Sequence, residues 1–169
     1  MRLPMRLLCF VGCPFLLLQL VLGQQEQLRL PSDVVVSVVS FSMQQQECVI
    51  VHSTGVYRRE QVALPGANKP EISEASLDPQ DLQLVRAIID QPEFKELKAP
   101  SAEKLLFRGK VYLISVPRKE GLQRYRTEDV ELRTPPKAVR ALLDWIKQMN
   151  RRTRPERQGT AQCPPISVQ

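Results

Sequence analysis

The stretch from Val34 to Glu60 limits the possible folds of this chain more than any other. It opens on VVVSVVSFSM, a run whose β-branched density favours a strand, from about Asp33 to Met43. Both alternate sets are apolar, with Val34, Val36 and Val38 on one face and Val35, Val39 and Phe41 on the other. Two apolar faces imply a central or covered strand. Gln44-Gln45-Gln46 makes a short polar connection to a second strand, Glu47 to Ser53, which points Val49 and Val51 one way and Cys48, Ile50 and His52 the other. Ser53-Thr54-Gly55 then signals a hairpin, because Gly55 can take the positive φ that tight turns require. The third strand, Val56 to Val62, carries Arg58, Arg59 and Glu60 in its middle. Charges there suit an edge strand facing solvent.

The rest of the chain reads as additions to that sheet. Pro65 to Pro70 is a loop. A helix opens with Asp78 as N-cap, Pro79 at the first helical position and Asp81 in the first turn. Leu82, Val85, Ile88 and Ile89 form its apolar stripe, and Pro92 ends it after Gln91. Phe94 and Leu97 add one further turn. A fourth strand runs from about Leu105 to Val116, turns at Lys119-Glu120-Gly121 and returns as Leu122 to Val130. The closing helix is capped by Thr134, has Pro135 and Pro136 in its first turn, and aligns Val139, Leu142, Leu143, Ile146 and Met149, with Trp145 at the margin. The order β-β-β-α-β-β-α, about five mainly antiparallel strands and two amphipathic helices, predicts a two-layer α+β sandwich with both helices on one sheet face.

Residues 1–23 have the layout of a secretory signal peptide: Arg2 and Arg6, an apolar run from Leu7 to Leu22, and Val21 and Gly23 ahead of Gln24. The run is shorter than the roughly 20 residues of a membrane-spanning helix, and Pro14 interrupts it, so no stable membrane anchor is expected after cleavage. Phe10-Val11-Gly12-Cys13 faintly resembles a lipidation box, but would start the mature chain on the greasy Pro14 to Leu18. The expected organisation is a signal at 1–23, a loose lead-in at 24–32, one domain at 33–150 and a disordered basic, Pro-containing tail at 151–169. The expected location is secreted or periplasmic.

Cleavage changes the charge and cysteine counts. The whole chain carries 24 basic and 18 acidic residues, a net of +6, and losing Arg2 and Arg6 leaves 22 against 18, or +4. Arg151, Arg152, Arg154 and Arg157 against Glu156 account for +3 of that. The folded part is therefore nearly neutral and calls for no nucleic acid. Only Cys48 and Cys163 remain. In an oxidising compartment they are candidates for a disulfide, which would close a loop worth roughly 4–5 kcal/mol on a chain-entropy estimate. The alternative is a buried Cys48 with a free or externally paired Cys163.

The layout over about Asp33 to Asn150 resembles a group of small secreted bacterial proteins that includes emfourin, an inhibitor of thermolysin-like metalloproteases. The parts that carry the likeness are the first strand, the Cys48 to Gly55 strand and turn, the helix SLDPQDLQLVRAIID, the pair Lys110 to Val130 and the helix PPKAVRALLDWIKQ. Where members often have a Gly-rich segment between the first two strands, this chain has Met43-Gln44-Gln45-Gln46. The resemblance implies a non-enzymatic domain that binds another protein. It lies in layout, so no inhibitory residue is carried across.

The chemistry points the same way. His52 is the sole histidine, and a Cys48–His52 dyad on one strand would span about 13 Å at ~3.3 Å per residue, too far for a nucleophile–base hydrogen bond. Zinc wants four clustered N or S ligands, and the glycines lack phosphate-loop spacing. Glu128, Asp129 and Glu131 suit a solvated loop. No catalytic residue, cofactor or metal is expected. The candidate interaction surface is Tyr57, Arg58 and Arg59 on the third strand with Arg124, Tyr125 and Arg126 on the fifth, able to stack on and neutralise an anionic polymer, to which the basic tail would contribute. Nothing in the pattern specifies an oligomeric state.

Overall fold

A computed structural model describes residues 30–64, 69–97, 109–129, 135–153 and 162–163. They form β1 (Val34–Phe41), β2 (Gln45–His52), β3 (Val56–Ala63), β4 (Glu71–Ser76), α1 (Pro79–Ile89), α2 (Pro92–Lys95), β5 (Lys110–Arg118), β6 (Gly121–Asp129) and α3 (Lys137–Arg152). The strands make one antiparallel sheet in the order β4-β3-β2-β1-β5-β6. The fold is α+β, as the sequence predicts, with β1 at the centre of the sheet. The signal, the lead-in before Leu30, residues 65–68 and 105–108, Val130, Thr134 and tail residues 154–161 and 164–169 lie outside the described residues.

The main core lies between one sheet face and the helices. Val36, Val38, Val49, Val51, Tyr57, Tyr112, Ile114 and Val116 meet Val85, Ile88 and Ile89 of α1, Phe94 of α2, and the α3 stripe. Trp145, placed at the stripe's margin by periodicity alone, is buried and sits edge-on to Tyr57, with ring centroids 5.8 Å apart. Strict alternation groups Val34 with Val36 and Val38. Instead, a register shift between Val34 and Val36 sends Val34 to the opposite face and lets Val35 pack on the helix side. That opposite face holds a second apolar cluster of Val34, Val39, Cys48 and Ile50, with Leu30, Leu113 and Cys163 packed against it.

Two strand expectations need correction. Glu71–Ser76 is a strand that the sequence pattern does not predict, because EISEAS is mostly polar and offers only Ile72 and Ala75 as apolar residues. It pairs with β3 along its length, and this makes β3 internal rather than an edge. The charges of β3 are not solvated: Arg58 and Glu60 are 6 % and 3 % exposed, Arg58 bonds Glu74 on β4, and Glu60 bonds Arg58 and the main chain of residues 162–163.

The helix ends follow the caps. Asp78 Oδ1 accepts from Asp81 N at 2.7 Å, and Pro79 stands at the first position. α1 stops at Ile89, two residues before the expected end. There Arg118 Nη2 donates to the Ile89 carbonyl at 2.6 Å, satisfying an orphan acceptor of the last turn. Gln123 Nε2 donates to the Phe94 carbonyl at 2.9 Å and holds α2 to β6. α3 begins at Lys137 after Pro136, without a side-chain cap, and runs past Asn150 to Arg152. The start of the supposed tail is therefore helix, and Thr153 is buried. Glycine is required at the two turns, where Gly55 and Gly121 have φ of 86° and 135°.

Candidate functional site

Register places the charged residues of the sheet on two sides. On the helix side, Glu47 lies at the start of β2 beside the end of α3. Its Oε1 accepts from Asn150 Nδ2 at 2.6 Å and Arg59 Nε at 2.9 Å, and its Oε2 from Lys110 Nζ at 3.4 Å. Asn150 Oδ1 in turn accepts from the Tyr57 hydroxyl at 2.6 Å. This chain of bonds ties the C-terminal end of α3 to β2, β3 and β5. Beside it is a pocket of about 50 Å³, with Ser40, Glu47, Lys110, Lys147 and Asn150 on its polar wall. It can hold ordered water, whereas small-molecule sites run to roughly 300–1,000 Å³.

Burial pushes the Tyr57 phenol well above its ordinary pKa, the Glu47 carboxylate adds to the rise, and Arg59 opposes it. Its proton is therefore held more tightly in the folded state than in the unfolded one. The sign follows: Tyr57 contributes its full share of stability below the unfolded value near 10 and loses it as pH climbs above that. The expected fall approaches about 1.4 kcal/mol per pH unit for this one proton. Urea unfolding between pH 9 and 11.5 should show a shallower decline in Tyr57→Phe than in wild type; equal slopes would contradict the assignment.

On the opposite face, Arg58 and Glu60 stand side by side. Arg58 Nε donates to Glu60 Oε1 at 2.7 Å, and Arg58 Nη1 donates to Glu74 Oε1 on β4. Burial works against the guanidinium charge, but the hydrogen bonds Arg58 donates to the Glu60 and Glu74 carboxylates, with their negative charge, outweigh it and hold the Arg58 pKa above its usual value. Glu60 also accepts the main-chain N–H of Gln162 at 2.8 Å and of Cys163 at 3.2 Å. Cys48 and Cys163 are joined by a disulfide. Of the two pairings left open by the sequence, the chain thus has the intramolecular one, and residues 162–163 of the supposed disordered tail are fastened to the sheet.

The proposed interaction surface does not assemble. Tyr57 is fully buried, Arg58 is 6 % exposed, and both are consumed by internal bonds. Strands β2, β1 and β5 separate β3 from β6, which at ~4.8 Å per strand puts the two sets roughly 19 Å apart. Pairing also splits the faces. Tyr57, Arg59 and Tyr125 lie in line with helix-side residues, while Arg58, Arg124 and Arg126 lie on the other side. Arg124 is exposed, and Arg126 Nη2 pairs with Glu128 Oε1 at 3.1 Å.

Among the described residues there is no cluster of His, Cys, Asp and Glu able to hold a metal, and no helix long and apolar enough to cross a membrane. His52 Nδ1 lies 2.9 Å from Asp33 Oδ2, a His–carboxylate pair at the hairpin, while Cys48 is committed to its disulfide and cannot serve that pair as nucleophile. The exposed feature most suited to contact is at the sheet end. Met43 in the β1–β2 turn is 79 % exposed, Leu64 after β3 is 41 % exposed, and Leu64 N donates to the Gln44 carbonyl at 2.7 Å. The turn that carries Met43 is thus joined through Gln44 to the end of β3 that carries Leu64. Charge and periodicity did not single them out. No protein-family model and no curated protein matches the chain.

Proposed function

We propose that the chain is a secreted or periplasmic, non-enzymatic domain that binds another protein through the end of the sheet formed by the β1–β2 turn and the end of β3. The carrying observation is that Met43 and Leu64, both exposed, stand at the same end of the sheet, where Leu64 N bonds the Gln44 carbonyl. Both side chains are free to be covered by a partner, and an unbranched Met adapts to varied partners. The turn occupies the place of the segment between the first two strands in the emfourin-like layout, so a thermolysin-like metalloprotease is the partner class to test first.

The test is a titration of such a protease with purified chain, reading peptide hydrolysis and complex formation by calorimetry. A stoichiometric complex is expected, weakened at least tenfold (about 1.4 kcal/mol) by Met43→Asp or Leu64→Asp. A complex indifferent to both substitutions removes the tip from the contact, and absence of any complex removes this protease class. Reproducible hydrolytic turnover by the chain itself, lost in His52→Ala, would overturn the non-enzymatic reading.

A second reading is supported by the exposed Arg151 and Arg152 at the end of α3, which run on in sequence to Arg154 and Arg157. These would hold an anionic envelope polymer. Deleting residues 154–169 should then weaken salt-sensitive retention on a polyanion column, and replacing Arg151 and Arg152 with Gln as well should abolish it; retention unchanged by the deletion excludes the tail.

A further inference from the structure

Cys48 and Glu60 are direct cross-strand partners on β2 and β3, and both are almost wholly buried, at 1 % and 3 % exposure. Both are used by the same two residues from the far end of the chain. Glu60 takes the consecutive N–H groups of Gln162 and Cys163, one on each carboxylate oxygen, and Cys48 takes the Cys163 sulfur. A buried carboxylate must be compensated by charge and by hydrogen bonds. Arg58 supplies the charge, and the two adjacent amides fill acceptor sites that Arg58 leaves. Such a fork sets both position and direction for the segment it receives. A disulfide that merely closed a loop would need no such receptor one strand away.

We propose that the buried Arg58–Glu60 pair is a docking site for a main-chain segment, occupied by Gln162-Cys163, and that docking aligns the Cys163 thiol with Cys48 and so drives the disulfide. Glu60 is a positioning residue for that bond. The oxidant is a low-molecular-weight disulfide. The thiolate of the more accessible Cys163 attacks one of its sulfurs, forming a mixed disulfide and releasing one thiol. The Cys48 thiolate then attacks the Cys163 sulfur, closing the protein bond and releasing the second thiol. The protein loses two protons and two electrons, and the reagent gains them. Docking raises the effective concentration of one sulfur at the other for the closing step. Docking and bond formation are linked, so whatever Glu60 contributes to one appears in the other.

The test equilibrates purified full chain with mixtures of reduced and oxidised glutathione and reads the Cys48–Cys163 peptide by mass spectrometry after alkylation. Glu60→Gln keeps the shape and an acceptor for Arg58, but sets an amide nitrogen against a main-chain N–H. It is expected to lower the equilibrium constant for the bond at least tenfold (about 1.4 kcal/mol). Glu74→Gln, which removes the charge of a second Arg58 partner and leaves the fork intact, should stay close to wild type. An unmoved constant in Glu60→Gln overturns the proposal. Equal losses in both variants also overturn it, since the effect would then come from Arg58 or from the sheet as a whole. Should Glu60→Gln not fold, hydrogen exchange in reduced wild type decides. Slow exchange at the Gln162 and Cys163 amides supports docking without the bond, and free exchange refutes it.

Discussion

Replacing Cys163 with Ser should lower the free energy of unfolding by about 4–5 kcal/mol, because the bond it removes joins residues 115 apart in sequence and a loop of that length restrains the unfolded chain strongly. Small domains are stable by only about 5–15 kcal/mol in total, so this single change removes a large share. Urea unfolding of wild type in reductant should superimpose on Cys163→Ser, since both lack only the bond. A midpoint for Cys163→Ser equal to that of oxidised wild type would refute the estimate. Cys48→Ser should cost more. Cys48 is 1 % exposed, within the cluster of Val34, Val39 and Ile50, where a hydroxyl without a partner is penalised.

Arg58→Leu is expected to cost about 3–5 kcal/mol, the range for breaking a buried ion pair from one side. The side chain is 7 % exposed and its partner Glu60 3 %, so neither charge can fall back on water. Removing both charges, as Arg58→Leu with Glu60→Leu, should recover only part of the loss, because the amides of Gln162 and Cys163 lose their acceptor. Denaturant melts of the single and double variants settle this. A cost under about 1 kcal/mol for Arg58→Leu, the scale of an exposed pair, would show that the pairing does not stabilise this face. Full recovery in the double variant would show that the two amides need no receptor.

The buried charges of β3 and the polar strand β4 depend on each other. Arg58, Arg59 and Glu60 look solvated when only their own strand is considered, because charge in mid-strand ordinarily faces water. Their partners are Glu74, which is 16 residues away, and Glu47, which is 12 away, and the strand bearing Glu74 is too polar to announce itself. Once β4 is added, β3 becomes internal and its charges become a paired interior. The Cys48–Glu60 neighbourhood was closer to hand. The hairpin centred on Thr54 that the sequence predicts pairs those two residues directly, but a carboxylate waiting for main-chain amides from residue 162 has no local signature.

Local chemistry was enough for much of the architecture. The β-branched run of β1, the Gly55 turn, the Asp78-Pro79 helix start and the apolar stripes of α1 and α3 each follow from propensity, capping or period, and those preferences act within a few residues. The tertiary structure alone decided which polar residues are interior, which face Val34 takes, and where the C-terminal segment is fastened. Burial and pairing of charge depend on partners distant in sequence, and a backbone amide looks the same at every position until a buried carboxylate is placed opposite it.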